Sequence, residues 1–225
     1  MSSADNSPRS QFRFFDPSDD EAHLLEEERE IVPTSVICAH MDPLYNECRA
    51  YGRIVEKKLN GTIAVRCYGY LTLPATIEDE LHKKFDVVNW DRPDEEYERP
   101  TSERQPLRAI VKELVREDLT FTAKYLNKML RHLKHLRRVG IYPGDVRARN
   151  YRAGLLIDFS CAMTKPHCLF QTRPEWNVSY MQSQDLVYFD NMVCDEALNT
   201  SVRATPNREY LKKLRRPPES SKTFA

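Results

Sequence analysis

The sequence predicts a mixed α+β domain with polar ends, and three observations carry that prediction. Leu126, Met129, Leu130, Leu133 and Leu136 repeat at helical spacing and are followed by Gly140, a helix-stop residue. Two short runs rich in β-branched and aromatic residues, Ile63–Leu73 and Leu107–Val115, read as strands. The length of 225 residues suits one domain, and the 30% of charged residues must lie on a very polar surface or in tails. Lys plus Arg and Asp plus Glu number 34 each, so no whole-chain field draws this protein to nucleic acid or to an anionic membrane.

Composition removes several function classes. The six glycines are Gly52, Gly61, Gly69, Gly140, Gly144 and Gly154. Neither G-x-G-x-x-G nor G-x-x-x-x-G-K-[ST] can be written from them, which excludes a Rossmann turn and a Walker-type phosphate cradle. No apolar stretch approaches the ~18 residues of a membrane span, and the first thirty residues lack the apolar region of a secretory signal. The six cysteines contain no C-x-x-C pair and are expected as reduced thiols of a soluble intracellular protein.

Taken in order, residues 1–34 read as a flexible acidic arm in which Ser18 and Glu21 form a capping box for one short helix. Residues 35–199 hold the domain. Leu44, Cys48, Tyr51, Ile54 and Val55 predict a helix over Pro43–Val55 with one buried stripe. Asn60-Gly61 marks a turn into the strand Ile63–Leu73, which Pro74 ends. Residues 75–106, with Pro93, Pro100, Pro106 and Asp94-Glu95-Glu96, form a polar insertion containing an amphipathic segment at Ile77–Phe85. Leu107–Val115 is expected as a buried strand.

Thr120 or Thr122 caps the main helix, 122–139. Its outward face, Lys128, Arg131, Lys134, Arg137 and Arg138, reads as solvated because no aromatic residues interleave to stack bases. His132 and His135 are expected as exposed members of that face, and Cys161, His167 and Cys168 lack a fourth partner at zinc-like spacing. A strand-turn-strand follows over Val146–Phe159, then an irregular segment to about 184 and a helix over Asp185–Leu198. Residues 200–225 are a basic, Pro-rich flexible tail, whose Lys212–Arg216 run is either a nuclear-import signal or simply solvated.

The chemistry-bearing stretch is Gly144-Asp145-Val146-Arg147-Ala148-Arg149-Asn150, followed by Leu155-Leu156-Ile157-Asp158-Phe159. An acid five residues before an Asn, then an apolar strand ending in Asp-Phe, resembles the way kinase-like folds assemble phosphoryl-transfer chemistry. One carboxylate accepts a hydroxyl proton while an amide oxygen and a second carboxylate hold hard Mg²⁺ ions against polyphosphate.

This segment resembles the catalytic loop and metal-binding turn of the protein-kinase-like superfamily. The resemblance makes Asp145 the base, Asn150 and Asp158 the Mg²⁺ ligands, and Arg147 and Arg149 the phosphate contacts. It makes Glu47 a secondary match to the Glu that pairs with the strand lysine, and places Lys112-Glu113 at the interlobe hinge beside the nucleotide. Arg173-Pro174-Glu175 resembles the Ala-Pro-Glu that closes an activation segment, and Asp185 with Tyr188 the start of the next helix. The implied fold is a truncated kinase-like one, with a reduced antiparallel N-lobe sheet and one helix on a mainly helical C-lobe, joined near Lys112–Arg116.

A second resemblance covers roughly residues 45–170. Glu47-Cys48-Arg49-Ala50-Tyr51-Gly52-Arg53, Arg66-Cys67-Tyr68-Gly69-Tyr70-Leu71 and Arg108-Ala109-Ile110-Val111-Lys112-Glu113 precede the loop in that order, and Leu156–Ser160 follows it. Together they resemble the fungal Sim-four kinetochore complex subunits of the Fta type.

Departures from the kinase pattern bear on activity. No glycine-rich lid is present, and no Val-Ala-Ile-Lys strand precedes Glu47. Ala109-Ile110-Val111-Lys112 follows the Glu-bearing helix and fits the strand leading into the hinge, not the lysine strand. Pro143-Gly144 replaces His-Arg, Ser160 replaces the glycine after Asp-Phe, and the outer strands and last helices of a kinase have no counterpart.

The resemblance therefore implies a degenerate kinase-like scaffold with protein partners, including kinetochore subunits, in the nucleus or cytoplasm. It needs no cofactor, contacts no membrane and is not expected to bind nucleic acid. The alternative is a minimal phosphotransferase, for a protein or small-molecule substrate, that uses Mg-ATP. A third reading is a fragment of a longer gene product.

Overall fold

A computed structural model describes residues 32–87, 90, 94–116 and 122–205. The predicted arm helix at Ser18 and the Lys212–Arg216 run lie outside the described residues. Thr120, one of the two proposed caps of the main helix, does too. The architecture is α+β: seven α-helices and three two-stranded antiparallel sheets among the described residues.

Helix α1 (Thr34–Met41) buries no residue and leads directly into α2 (Pro43–Glu56). Asp42 starts α2 because its carboxylate accepts the Tyr45 N–H at 3.0 Å, and Pro43 fits the first helical position. The buried stripe of α2 is Asn46, Ala50, Tyr51 and Ile54. Val55, which the sequence placed on that stripe, is 54% exposed.

The first predicted strand begins later than expected. Ile63, Ala64 and Val65 are all buried in succession, which an alternating strand cannot do; Ile63 ends a turn, and Ala64 makes only isolated bridges, one of them to Leu156. The Val65 N–H donates to the Leu156 carbonyl at 3.0 Å, so this turn is stitched to the second half of the chain. Strand β1 (Cys67–Leu73) then pairs with β2 (Leu107–Lys112), Cys67 opposite Lys112 and Leu73 opposite Leu107, with a bulge between Cys67 and Gly69. No residue of β2 is buried, against expectation, because the ribbon has only two strands and leaves Tyr68 and Tyr70 exposed.

Between these strands lie α3 (Ile77–Phe85) and the single turn α4 (Asp94–Tyr97). Buried Glu78 accepts from Arg104 at 2.8 Å, and Arg104 also donates to the Tyr97 and Arg99 carbonyls. One guanidinium thus ties α3 to the end of α4 and to Arg99.

The core centres on α5 (Leu126–Arg138), entered through a 3₁₀ turn at Ala123–Tyr125 for which Thr122 makes no side-chain cap. Its five predicted apolar residues are all buried. They meet Ala50 and Ile54 of α2 and Phe189, Met192 and Val193 of α7 (Glu175–Asp195) in one cluster with Phe159 and Leu156. On the opposite face Lys128 donates to the Ala153 carbonyl at 3.0 Å, and Arg137 donates to the Gln182 carbonyl. His132 is half-buried rather than exposed; burial, then the charges of Lys128 and Arg131, push its pKa down to about 4.

After α5 the chain forms β3 (Ile141–Tyr142), a 3₁₀ turn at Ala148–Asn150, β4 (Tyr151–Arg152), β5 (Leu155–Leu156) and β6 (Met163–Thr164). Strand β3 pairs with β6 and β4 with β5. The segment expected to be irregular up to 184 instead contains α6 (Cys168–Thr172) and the first half of α7, which starts ten residues before its predicted boundary. Pro174 precedes that start, and the buried residues of α7 begin only at Asp185, so its first half shows no apolar period.

Candidate functional site

The loop between β3 and β4 is positioned by its glycine. Gly144 has φ +75°, and a Cβ there would sit 2.4 Å from the Cys161 carbonyl oxygen, so only glycine lets the two backbones approach. The Gly144 N–H donates to Asp185 Oδ1 of α7 at 2.9 Å. Asp185 is buried and its Oδ2 has no hydrogen-bond partner. Burial raises its pKa to about 6, against the opposing effects of the Gly144 N–H and Arg137.

Downstream of that anchor, hydrogen bonds link the segments that carry the three oxygen-bearing candidates. Asn150 is buried; its Nδ2 donates to the Asp145 backbone carbonyl at 3.1 Å, and its own carbonyl accepts from the Ile157 N–H at 2.9 Å. The second bond ties the loop to the strand that delivers Asp158. Asp158 Oδ1 accepts the Ser160 N–H at 2.8 Å. Asp145 and Asp158 both face the Cys161 thiol: burial raises the thiol's pKa first, and the two carboxylates add to it.

The arginines close over the first acid. Arg147 Nε lies 2.6 Å from Asp145 Oδ1, and Arg149 reaches Oδ2 at 3.9 Å. Both guanidinium groups remain solvent-facing, on a cavity of about 450 Å³ that Asp145, Tyr188, Met192 and Glu196 also line.

Glu47 and Lys112 meet at the segment that carries Asp158. The sequence separated them, assigning Lys112 to a hinge; the structure pairs them. Lys112 Nζ donates to Glu47 Oε1 at 2.5 Å and to the Ile157 carbonyl at 2.8 Å. Glu47 also accepts the Phe159 N–H at 3.2 Å, and Asn46 donates to the Ser160 carbonyl at 3.1 Å. Burial raises the Glu47 pKa, with Asp158 adding to the rise, while Lys112 and the Phe159 N–H oppose it. The sequence shows only that Lys112 lies in a strand, not which acid it meets. What misled was the order of elements, because the lysine arrives from the strand after the helix.

Chemically the arrangement offers hard oxygen donors. The fixed Asn150 amide leaves Oδ1 as the atom able to ligate, and Asp158 retains a second carboxylate oxygen. That donor set fits Mg²⁺. The residues that would position a nucleotide's phosphates are another matter. No glycine-rich turn is found in the sequence, and Lys112, beside the acids, is engaged with Glu47 and a carbonyl.

Among the described residues no helix is long and apolar enough to cross a membrane. Residues 11–163, more than half of the chain, match the sequence model of a family described as kinetochore Sim4 complex subunit FTA2. No curated protein and no solved structure matches.

Proposed function

The chain belongs to the kinetochore Sim4 complex subunit FTA2 family, and from that premise we propose that it is a non-catalytic, protein-kinase-like scaffold at the nuclear kinetochore. It comprises an arm (1–34), a kinase-like domain (35–199, with the insertion 75–106) and a tail (200–225). The observation that carries this reading is the state of Asp145. A general base must turn its carboxylate to the hydroxyl it deprotonates, and here Arg147 pairs with Oδ1 at 2.6 Å while Arg149 stands 3.9 Å from Oδ2, so both arginines face the acid and not a phosphate. Phosphoryl transfer is mostly positioning and electrostatics, and the chain lacks the lid that supplies the positioning. The kinase-like constellation survives here as a framework. The Gly144–Asp185 bond seats the loop, Asn150 ties it to Ile157, and Glu47 with Lys112 ties α2 and β2 to the strand end.

Surface chemistry supports binding to protein. Tyr68 and Tyr70 on the ribbon are 66% and 74% exposed, and Trp176 and Tyr180 on α7 are 71% and 62% exposed. Aromatic residues of this kind serve as anchors at protein interfaces. Thermal unfolding of the purified chain with and without Mg-ATP tests the reading. No Mg²⁺-dependent stabilisation is expected, and a clear one that Asp158→Ala removes would refute it.

A second reading, a minimal Mg-ATP phosphotransferase, is favoured by the Lys112–Glu47 pair beside Asp158, which restores a lysine to the site. In it Asp145 is the base, Asn150 and Asp158 hold Mg²⁺, and Arg147 and Arg149 face the transferred phosphoryl group. Transfer of labelled phosphate that disappears in Asp145→Asn would establish it; absence of transfer across a broad substrate panel would count against it.

A further inference from the structure

Away from the loop, three side chains with soft-metal chemistry converge from distant parts of the chain. His40 comes from the last turn of α1, His167 precedes α6, and Cys168 opens it. One ligand atom from each lies within 4.8 Å of the other two. His167 and Cys168 are 2% and 3% exposed, and the two imidazole rings pack edge to face with centroids 4.6 Å apart. His40 Nδ1 is shielded from solvent and has no hydrogen-bond partner. A buried ring nitrogen left without a partner is costly, and a metal ion is a partner that would satisfy it.

We propose that His40, His167 and Cys168 form a zinc site with two nitrogen ligands, one sulfur ligand and a fourth position open to water or a small anion. The donor set selects the metal. Imidazole with thiolate suits borderline-soft Zn²⁺, whereas Mg²⁺ and Ca²⁺ require oxygen ligands that this cluster lacks. Bond lengths of the usual zinc site place ligand atoms roughly 3.3–3.6 Å apart, so closure asks for side-chain movements on the order of 1 Å. Helix α1 can supply that movement because it buries no residue.

The surroundings agree with the assignment. The Arg49 guanidinium, held by the Ala39 carbonyl at 2.6 Å and Asn46 Oδ1 at 2.9 Å, lies near the Cys168 sulfur and places a positive charge beside the cluster. His167 Nδ1 accepts the Leu169 N–H at 3.3 Å, the long end of hydrogen bonding, so little is lost if the metal takes that lone pair. A cavity of about 430 Å³ opens beside His167, lined by Arg53, Lys165, Phe170 and Gln182, and provides a route for the ion and for a fourth ligand.

The site would clamp α1 to α6. An eight-residue helix without a buried face or a side-chain cap has little to hold it by itself, and a bond through His40 supplies the missing attachment. The proposal is independent of whether the Asp145 loop binds a nucleotide.

The test uses the full chain, purified without a histidine tag. Elemental analysis is expected to find about one equivalent of Zn²⁺ per chain. Replacement by Co²⁺ should give intense tetrahedral visible absorption together with a thiolate-to-cobalt charge-transfer band that Cys168→Ser removes. In saturating Zn²⁺, at a hundred times Kd, the melting temperature should rise by about 5–10 °C over the chelated protein. His40→Ala should abolish that rise without unfolding the protein, since its helix contributes nothing to the core. No retained zinc, a weak octahedral cobalt spectrum, a spectrum indifferent to Cys168→Ser, or selective uptake of Cu⁺ would each overturn the proposal.

Discussion

Removing the Glu47 carboxylate is the perturbation that separates a framework role from an incidental contact. In Glu47→Ala the Phe159 N–H loses its acceptor, and Phe159 is fully buried. Lys112 loses its anion at 2.5 Å but keeps the Ile157 carbonyl at 2.8 Å. Breaking a fully buried ion pair costs about 3–5 kcal/mol. Here the side chains of Lys112 and Glu47 are 24% and 12% exposed, and burial already holds the Glu47 pKa above its ordinary value despite the lysine. The net loss should therefore be about 2 kcal/mol, most of it from stranded partners, or about 4–8 °C in melting temperature. Glu47→Gln retains an acceptor for the Phe159 N–H and should lose roughly half as much. Denaturant titration of the full chain measures both, with the midpoint moving and the slope unchanged. A Glu47→Ala variant within about 0.5 kcal/mol of the parent would refute the reasoning.

The remaining predictions concern the anchor, the loop and the surface. Asp185 has a folded pKa raised to about 6, so the folded state holds the extra proton and stability falls as pH rises from about 4 to about 6. Asp185→Asn keeps an acceptor for Gly144 and should flatten that decline, as denaturant midpoints across the pH range would record. Gly144→Ala combines positive φ with a 2.4 Å approach to a backbone oxygen. It should cost more than about 2 kcal/mol, read as a fall in melting temperature. Trp176→Ala and Tyr180→Ala remove exposed side chains and should leave stability within about 0.5 kcal/mol while reducing recovery of co-purifying complex subunits. Leu133→Ala opens the core at a fully shielded position and should lose about 2–5 kcal/mol on denaturant titration.

Where one physical signal dominated, the sequence was informative. The α5 stripe, the α2 start at Pro43, the amphipathic Ile77–Phe85 and the Gly140 stop all follow from local periodicity and helix-stop chemistry. Local rules failed where tertiary contacts decide. Ile63–Val65 have strand composition, yet they plug the core because Val65 reaches Leu156. The first half of α7 carries exposed aromatics and no buried residue, so nothing in its pattern spoke for a helix. The same divide runs through the candidate site. The spacing of Asp145, Asn150 and Asp158 was legible because a single loop and strand deliver them. The Lys112–Glu47 pair and the His40–His167–Cys168 cluster join segments far apart in sequence, and only the folded chain brings them together.

The central claim, that the Asp145–Asn150–Asp158 constellation serves as a scaffold and not as a catalyst, is tested most directly by gene replacement in the organism of origin. Cells would carry Asp145→Asn with Asp158→Asn in one strain and Glu47→Ala in another, each scored for protein level, centromere localisation and chromosome segregation. The account predicts that the double acid variant localises and segregates chromosomes normally, while Glu47→Ala loses protein level or localisation. Failed segregation in the double variant, with protein level and localisation intact, would contradict it.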